Sequence, residues 1–81
     1  MADSEQLERL KRSVEEWNAW RREERFDAQP DLKNAHLGNA YLTDANLNNT
    51  DLRDADLSRA ALVNTNLRDA NLSGAVRREV T

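Results

Sequence analysis

Leucine recurs at every fifth position through the second half of the chain: Leu32, Leu37, Leu42, Leu47, Leu52, Leu57, Leu62, Leu67 and Leu72. On an α-helix a five-residue step advances about 500°, so successive leucines would fall about 140° apart and form no stripe. On a flat strand side chains alternate between faces, and an odd spacing would send alternate leucines to opposite sides. Both regular elements are excluded over this stretch. The pattern closes on one interior only if the chain runs extended for about three residues and then turns a corner, once per repeat.

The remaining positions of the repeat agree. Two residues before each leucine stand Pro30, Ala35, Ala40, Ala45, Thr50, Ala55, Ala60, Thr65 and Ala70, small groups that face inward beside it and imply a narrow interior. Two residues after each leucine stand Asn34, Asn39, Asp44, Asn49, Asp54, Arg59, Asn64, Asp69 and Gly74. All but Arg59 are turn formers, which accept unusual backbone angles or bond their own backbone. Edges and corners repeated in this way generate a coil whose turns stack with a strand-like rise of ~4.8 Å.

The units Ala45-Asn46-Leu47-Asn48-Asn49, Ala55-Asp56-Leu57-Ser58-Arg59 and Ala70-Asn71-Leu72-Ser73-Gly74 resemble the pentapeptide-repeat family. The resemblance implies a β-solenoid, a short right-handed quadrilateral β-helix with four pentapeptides per coil, here a little over two coils over residues 30–75. Stacking by four repeats sets each residue beside the one twenty positions on.

Ahead of the repeats, residues 1–29 read as an amphipathic α-helix and linker, the helix running from Asp3 to about Arg25. Asp3 is the expected N-cap, with Gln6 three residues on, and Glu5 to Arg9 and Glu8 to Arg12 are i,i+4 pairs in the favourable order. Leu7, Leu10, Val14 and Trp17 form an apolar stripe that Trp20 continues. The stretch Val14-Glu15-Glu16-Trp17-Asn18-Ala19-Trp20-Arg21 is similar to a leader that precedes the repeats in bacterial, notably cyanobacterial, members of the family. A solenoid needs caps over its end cross-sections. The stripe, with Phe26 completing the plug, is therefore expected to cap the first coil; the alternative is a docking helix for another chain. At the other end the position of the next leucine is Arg77, so the coil is expected to stop at Ala75 and leave residues 76–81 as a C-terminal tail.

Composition narrows the function more than it names it. The chain has 81 residues and no cysteine, which limits it to one small domain without a disulfide or a Cys-based metal site. No apolar run is long enough to span a membrane, and the charged opening Met1 to Arg12 lacks the apolar core of a signal peptide, so a cytoplasmic location is expected. Net charge is −3, with no basic cluster on either side of Pro30, which disfavours direct nucleic-acid binding.

Candidate chemistry is sparse. His36 stands twenty positions before Asp56, but no Ser, Cys or second histidine completes a nucleophile or a metal constellation, and a surface ion pair is expected. Thr50 and Thr65 read as backbone-bonded core hydroxyls. No catalytic, cofactor or metal residue is assigned and the chain is not expected to be an enzyme. The least polar outward patch brings Tyr41 beside Ala61 and Thr43 beside Val63. The expected function is a structural or protein-interaction module that self-associates as a homodimer or docks on a protein partner. Leu62, Leu67 and Leu72 lie at its open end, with Tyr41 and Val63 as the next candidates. The alternative, implied by the resemblance, is a DNA-mimic inhibitor or protector of DNA gyrase. The near-neutral repeats and short coil argue against it.

Overall fold

The computed structural model describes residues 2–23 and 29–81. Two helices, α1 (Ser4–Arg12) and α2 (Val14–Glu23), precede the repeat region. The single long helix expected from the apolar stripe is thus broken, and Ser13 breaks it. Its backbone is extended, with φ −165° and ψ 122°, yet its N–H still donates to the Arg9 carbonyl at 3.1 Å. Its own carbonyl accepts from Trp17 N–H at 3.0 Å, and its hydroxyl oxygen accepts from Glu16 N–H at 3.2 Å. One residue therefore closes α1 and starts α2, the N-cap role for which serine is suited.

The start of α1 follows expectation: the Asp3 carboxylate accepts from Gln6 N–H at 3.1 Å. The expected i,i+4 pairs are replaced, however. Arg12 pairs with Glu16 across the break at 3.1 Å, and the Arg9 guanidinium lies 5.0 Å from the centre of the Trp20 ring. Trp20 in turn packs on Trp17 with ring centres 5.0 Å apart. These contacts clasp the two helices together.

From Asp31 onward the chain returns on itself every twenty residues. Isolated parallel bridges join Asp31 to Asp51, His36 to Asp56, Tyr41 to Ala61, Asn46 to Asn66, Asp51 to Asn71 and Asp56 to Val76. Among the described residues no bridge extends into a longer strand, because a corner follows each one. Every corner from Leu32 to Leu72 except the one after Leu47 is closed by a hydrogen bond from the N–H three residues beyond a leucine to that leucine's carbonyl, as from Ala35 to Leu32 at 3.0 Å. The third residue of each corner takes the left-handed conformation, φ lying between 59° and 67° at all eight non-glycine corners from Asn34 to Asp69 and at 74° at Gly74. This is the geometry of a type II turn, and it explains the Asn, Asp and Gly found there.

Beyond the leucine spacing lies a second regularity. Where Asp or Asn stands one position before the leucine, its side chain accepts the N–H two residues on: Asp31 from Lys33, Asn46 from Asn48, Asp51 from Arg53, Asp56 from Ser58, Asn66 from Arg68 and Asn71 from Ser73. These local bonds shape the approach to the corner.

The pairing does not stop at Ala75. Val76 N–H donates to Ala55 O and Thr81 N–H to Ala60 O, while Leu57, Arg59 and Leu62 donate to the carbonyls of Val76, Arg78 and Thr81. The expected tail is a further repeat, with Glu79 at the corner (φ 55°) and Val80 packed on the core. Ladder bonds use only backbone groups, so the repeat continues although Arg77 stands in the place of leucine.

The core is a single column. Leu32, Leu37, Leu42, Leu47, Leu52 and Leu57 are fully buried, whereas Leu62, Leu67 and Leu72 are half-buried and pack on the column from its last turn. Leu10 and Trp17 join its other end, with Leu7, Val14 and Trp20 packed against it. Phe26, expected in the same plug, lies outside the described residues. No helix among the described residues is long and apolar enough to cross a membrane.

Candidate functional site

The unpaired backbone groups of the repeat column lie at its first and last turns. At the first turn, the backbone groups that would pair with a preceding turn are those of Asp31, His36, Tyr41 and Asn46. The helices serve two of these four positions. Gln6 Oε1 accepts from Asp31 N–H at 2.9 Å, and Asp3 N–H donates to Asp31 O at 2.9 Å. Asn18 Oδ1 accepts from Asn46 N–H at 2.7 Å, and Trp17 Nε1–H donates to Asn46 O at 2.7 Å. Arg21 adds donations to Asn46 O and to the Thr50 hydroxyl, both at 3.3 Å. Among the described residues, the N–H and C=O groups of His36 and Tyr41 have no protein partner.

A groove of about 530 Å³ runs beside those two free positions, between the break in the helices and the first turn. Leu10, Val14, Leu37 and Leu42 line its apolar side. Tyr41, at its rim, is 85% exposed. The volume suits a short segment of chain.

At the last turn the situation is the converse. Leu62 N–H is taken by Thr81, but among the described residues the N–H groups of Leu67 and Leu72 and the carbonyls of Thr65, Ala70 and Ala75 have no partner. The side chains of Leu67 and Leu72 are half-buried beside them. Val63 is 52% exposed on the flank, and its carbonyl accepts from Asp44 N–H at 3.1 Å.

No catalytic constellation forms among the described residues. His36 and Asp56 are joined by a backbone bridge but make no ion pair. Instead hydrogen bonds from Ser58, with His36 a minor electrostatic contributor, hold the Asp56 carboxyl below its ordinary pKa. The expected ion pair is thereby corrected: the carboxylate turns to its own chain. Thr65 donates its hydroxyl to Leu42 O at 2.7 Å and Thr50 to Asn48 O at 3.3 Å, which accounts for both inward hydroxyls. No group of three or more acidic, His or Cys residues is placed to hold a metal among the described residues.

The free edge at His36 and Tyr41 was not legible from the leucines. The position before them, where His and Tyr stand in a run otherwise rich in Asp and Asn, signals only that Gly38 and Thr43 lack a local side-chain acceptor. Compared with known proteins, the chain matches the family model for pentapeptide repeats, in eight copies over residues 28–59 and 50–76. No curated protein matches it.

Proposed function

Because the chain belongs to the pentapeptide-repeat family, whose members are in general structural, protein-interaction modules, we propose that it is a non-enzymatic interaction module of the cytoplasm, built as a short right-handed quadrilateral β-helix. The twenty-residue hydrogen-bonding period and the left-handed corners support that architecture. Its function is to associate through the open last turn, most simply with a second copy in a closed two-fold dimer.

The observation that carries this reading is the asymmetry of the ends. The first turn has half of its bridge positions served by the helices, while the last turn presents free amides at Leu67 and Leu72, free carbonyls at Thr65, Ala70 and Ala75, and half-buried leucines beside them. Unpaired edges with an apolar rim are templates for association. Leu62, whose amide is already bonded to Thr81, contributes at the margin of this contact; Tyr41 and Val63 are the next candidates.

Sedimentation equilibrium at micromolar concentration tests the reading. A dimer that Leu72→Arg converts to a folded monomer is expected; a stable wild-type monomer overturns it. The gyrase alternative has less support, since the longest dimension of the whole molecule is 34 Å, about one helical turn of DNA.

A further inference from the structure

The groove at the first turn carries an inference that does not depend on self-association. Each ladder position in this fold offers an N–H and a C=O to the preceding turn, and a further C=O two residues on, as Ser58 O does to Asn39 N–H. At His36 and Tyr41 these groups face the groove unpaired, together with the carbonyls of Gly38 and Thr43. They are also the two first-turn columns without Asp or Asn before the leucine. The N–H groups of Gly38 and Thr43 therefore lack the side-chain acceptor that Lys33 and Asn48 have. The helices, by breaking at Ser13, leave this side open.

The charged side chains that line the groove itself are cationic. Its lining contains Lys11, Arg12 and His36 and no acidic residue. Arg12 is tied to Glu16, but Lys11 makes no ion pair among the described residues. Asp56, beside Gly38, belongs to the next turn and is engaged with Ser58. The segment Arg77-Arg78-Glu79, on balance basic, is already held in the last repeat, where Arg78 O accepts from Arg59 N–H.

We propose that the groove is a docking site for an extended acidic segment of a partner protein, which adds to the first turn as a short strand along His36–Gly38 or Tyr41–Thr43. Backbone pairing supplies the contact, the half-buried Val14 and Ala40 receive one alternate side chain, and Lys11 selects a carboxylate on the other face.

The test uses the full chain labelled with ¹⁵N and a blocked peptide of alternating glutamate and valine. On adding the peptide, the amide signal of His36 or of Tyr41 shifts and its hydrogen exchange slows by about tenfold or more. A matching peptide of alternating lysine and valine has no such effect, and Lys11→Glu abolishes the response to the acidic one while circular dichroism stays unchanged. Equal response to both peptides, or binding without protection of either amide, overturns the proposal. So does concentration-dependent protection of those amides without peptide, which would place a second copy in the groove. Leu72→Arg leaves the peptide response intact, so failure of the dimer and failure of the groove are read separately.

Discussion

Asn18 gives Asn46 the hydrogen bond that a preceding turn of the repeat would have supplied. Its side-chain Oδ1 accepts from Asn46 N–H at 2.7 Å, in place of a ladder carbonyl, while its Nδ2–H donates to Asp44 O at 3.0 Å and anchors the carboxamide. Gln6 does the same for Asp31 N–H on another side of the column. The helices are therefore fastened to the first turn by polar substitution as well as by the burial of Leu10 and Trp17.

Asn18→Ala is accordingly expected to cost about 1–3 kcal/mol, because it strands the Asn46 amide beneath the helices. Denaturant unfolding measures it. A loss no larger than that for an exposed helix residue such as Glu15→Ala would mean that water replaces the carboxamide freely.

Leu52 is fully buried near the centre of the column, with neighbouring turns on both sides of it. Leu52→Ala is expected to cost about 2–5 kcal/mol through lost burial and an unfilled cavity. Asn48→Ala, outside the column, should cost about 0.5 kcal/mol or less. Comparable melting shifts for the two would contradict the inward register.

Acid should act through Asp51. Its carboxylate accepts from Arg53 Nε at 2.9 Å, from Arg53 Nη2 at 2.8 Å and from the Arg53 N–H at 3.1 Å. The side-chain hydrogen bond from Arg53 is the largest cause lowering its pKa from 3.8 to about 2, against the opposing effect of burial. A depressed folded-state pKa adds stability that is complete above the unfolded value and disappears as pH falls through the folded one. Unfolding free energy is therefore expected to decline between about pH 4 and pH 2. Asp51→Asn should flatten that decline, and an unchanged pH profile in the variant would assign the acid response to other carboxylates.

Much of the column was readable because leucine spacing is a property of the whole repeat. The break in the helix was not, because Leu7, Leu10, Val14 and Trp17 keep one continuous stripe across it; the signal was Ser13-Val14-Glu15-Glu16, a capping-box pattern inside the run. The last repeat was hidden by Arg77, since the eye follows leucine and the backbone does not need it. The groove was hidden for a different reason: which first-turn edges stay free depends on where the helices cross, and spacing alone does not fix that.

Arg59 is the one corner from Asn34 to Gly74 that is not Asn, Asp or Gly, and it nonetheless holds φ 61°. Arg59→Asn should stabilise the fold by about 1 kcal/mol, since asparagine adopts the left-handed region at lower cost. The exposed ion pair from Arg59 Nε to Glu79, 3.2 Å long, offsets little of this gain. Thermal melting decides the sign, and a destabilised variant would show that the pair outweighs the corner.

The placement of Gln6 and Asn18 also bears on how copies of this chain can join. A column with two open ends could add copies head to tail without limit, because a heterologous contact that does not close produces fibres. Here an arriving last turn would find the amides of Asp31 and Asn46 already taken by side chains of the same molecule. Head-to-tail addition is blocked at those two positions, which favours the closed end-to-end meeting of two last turns proposed above.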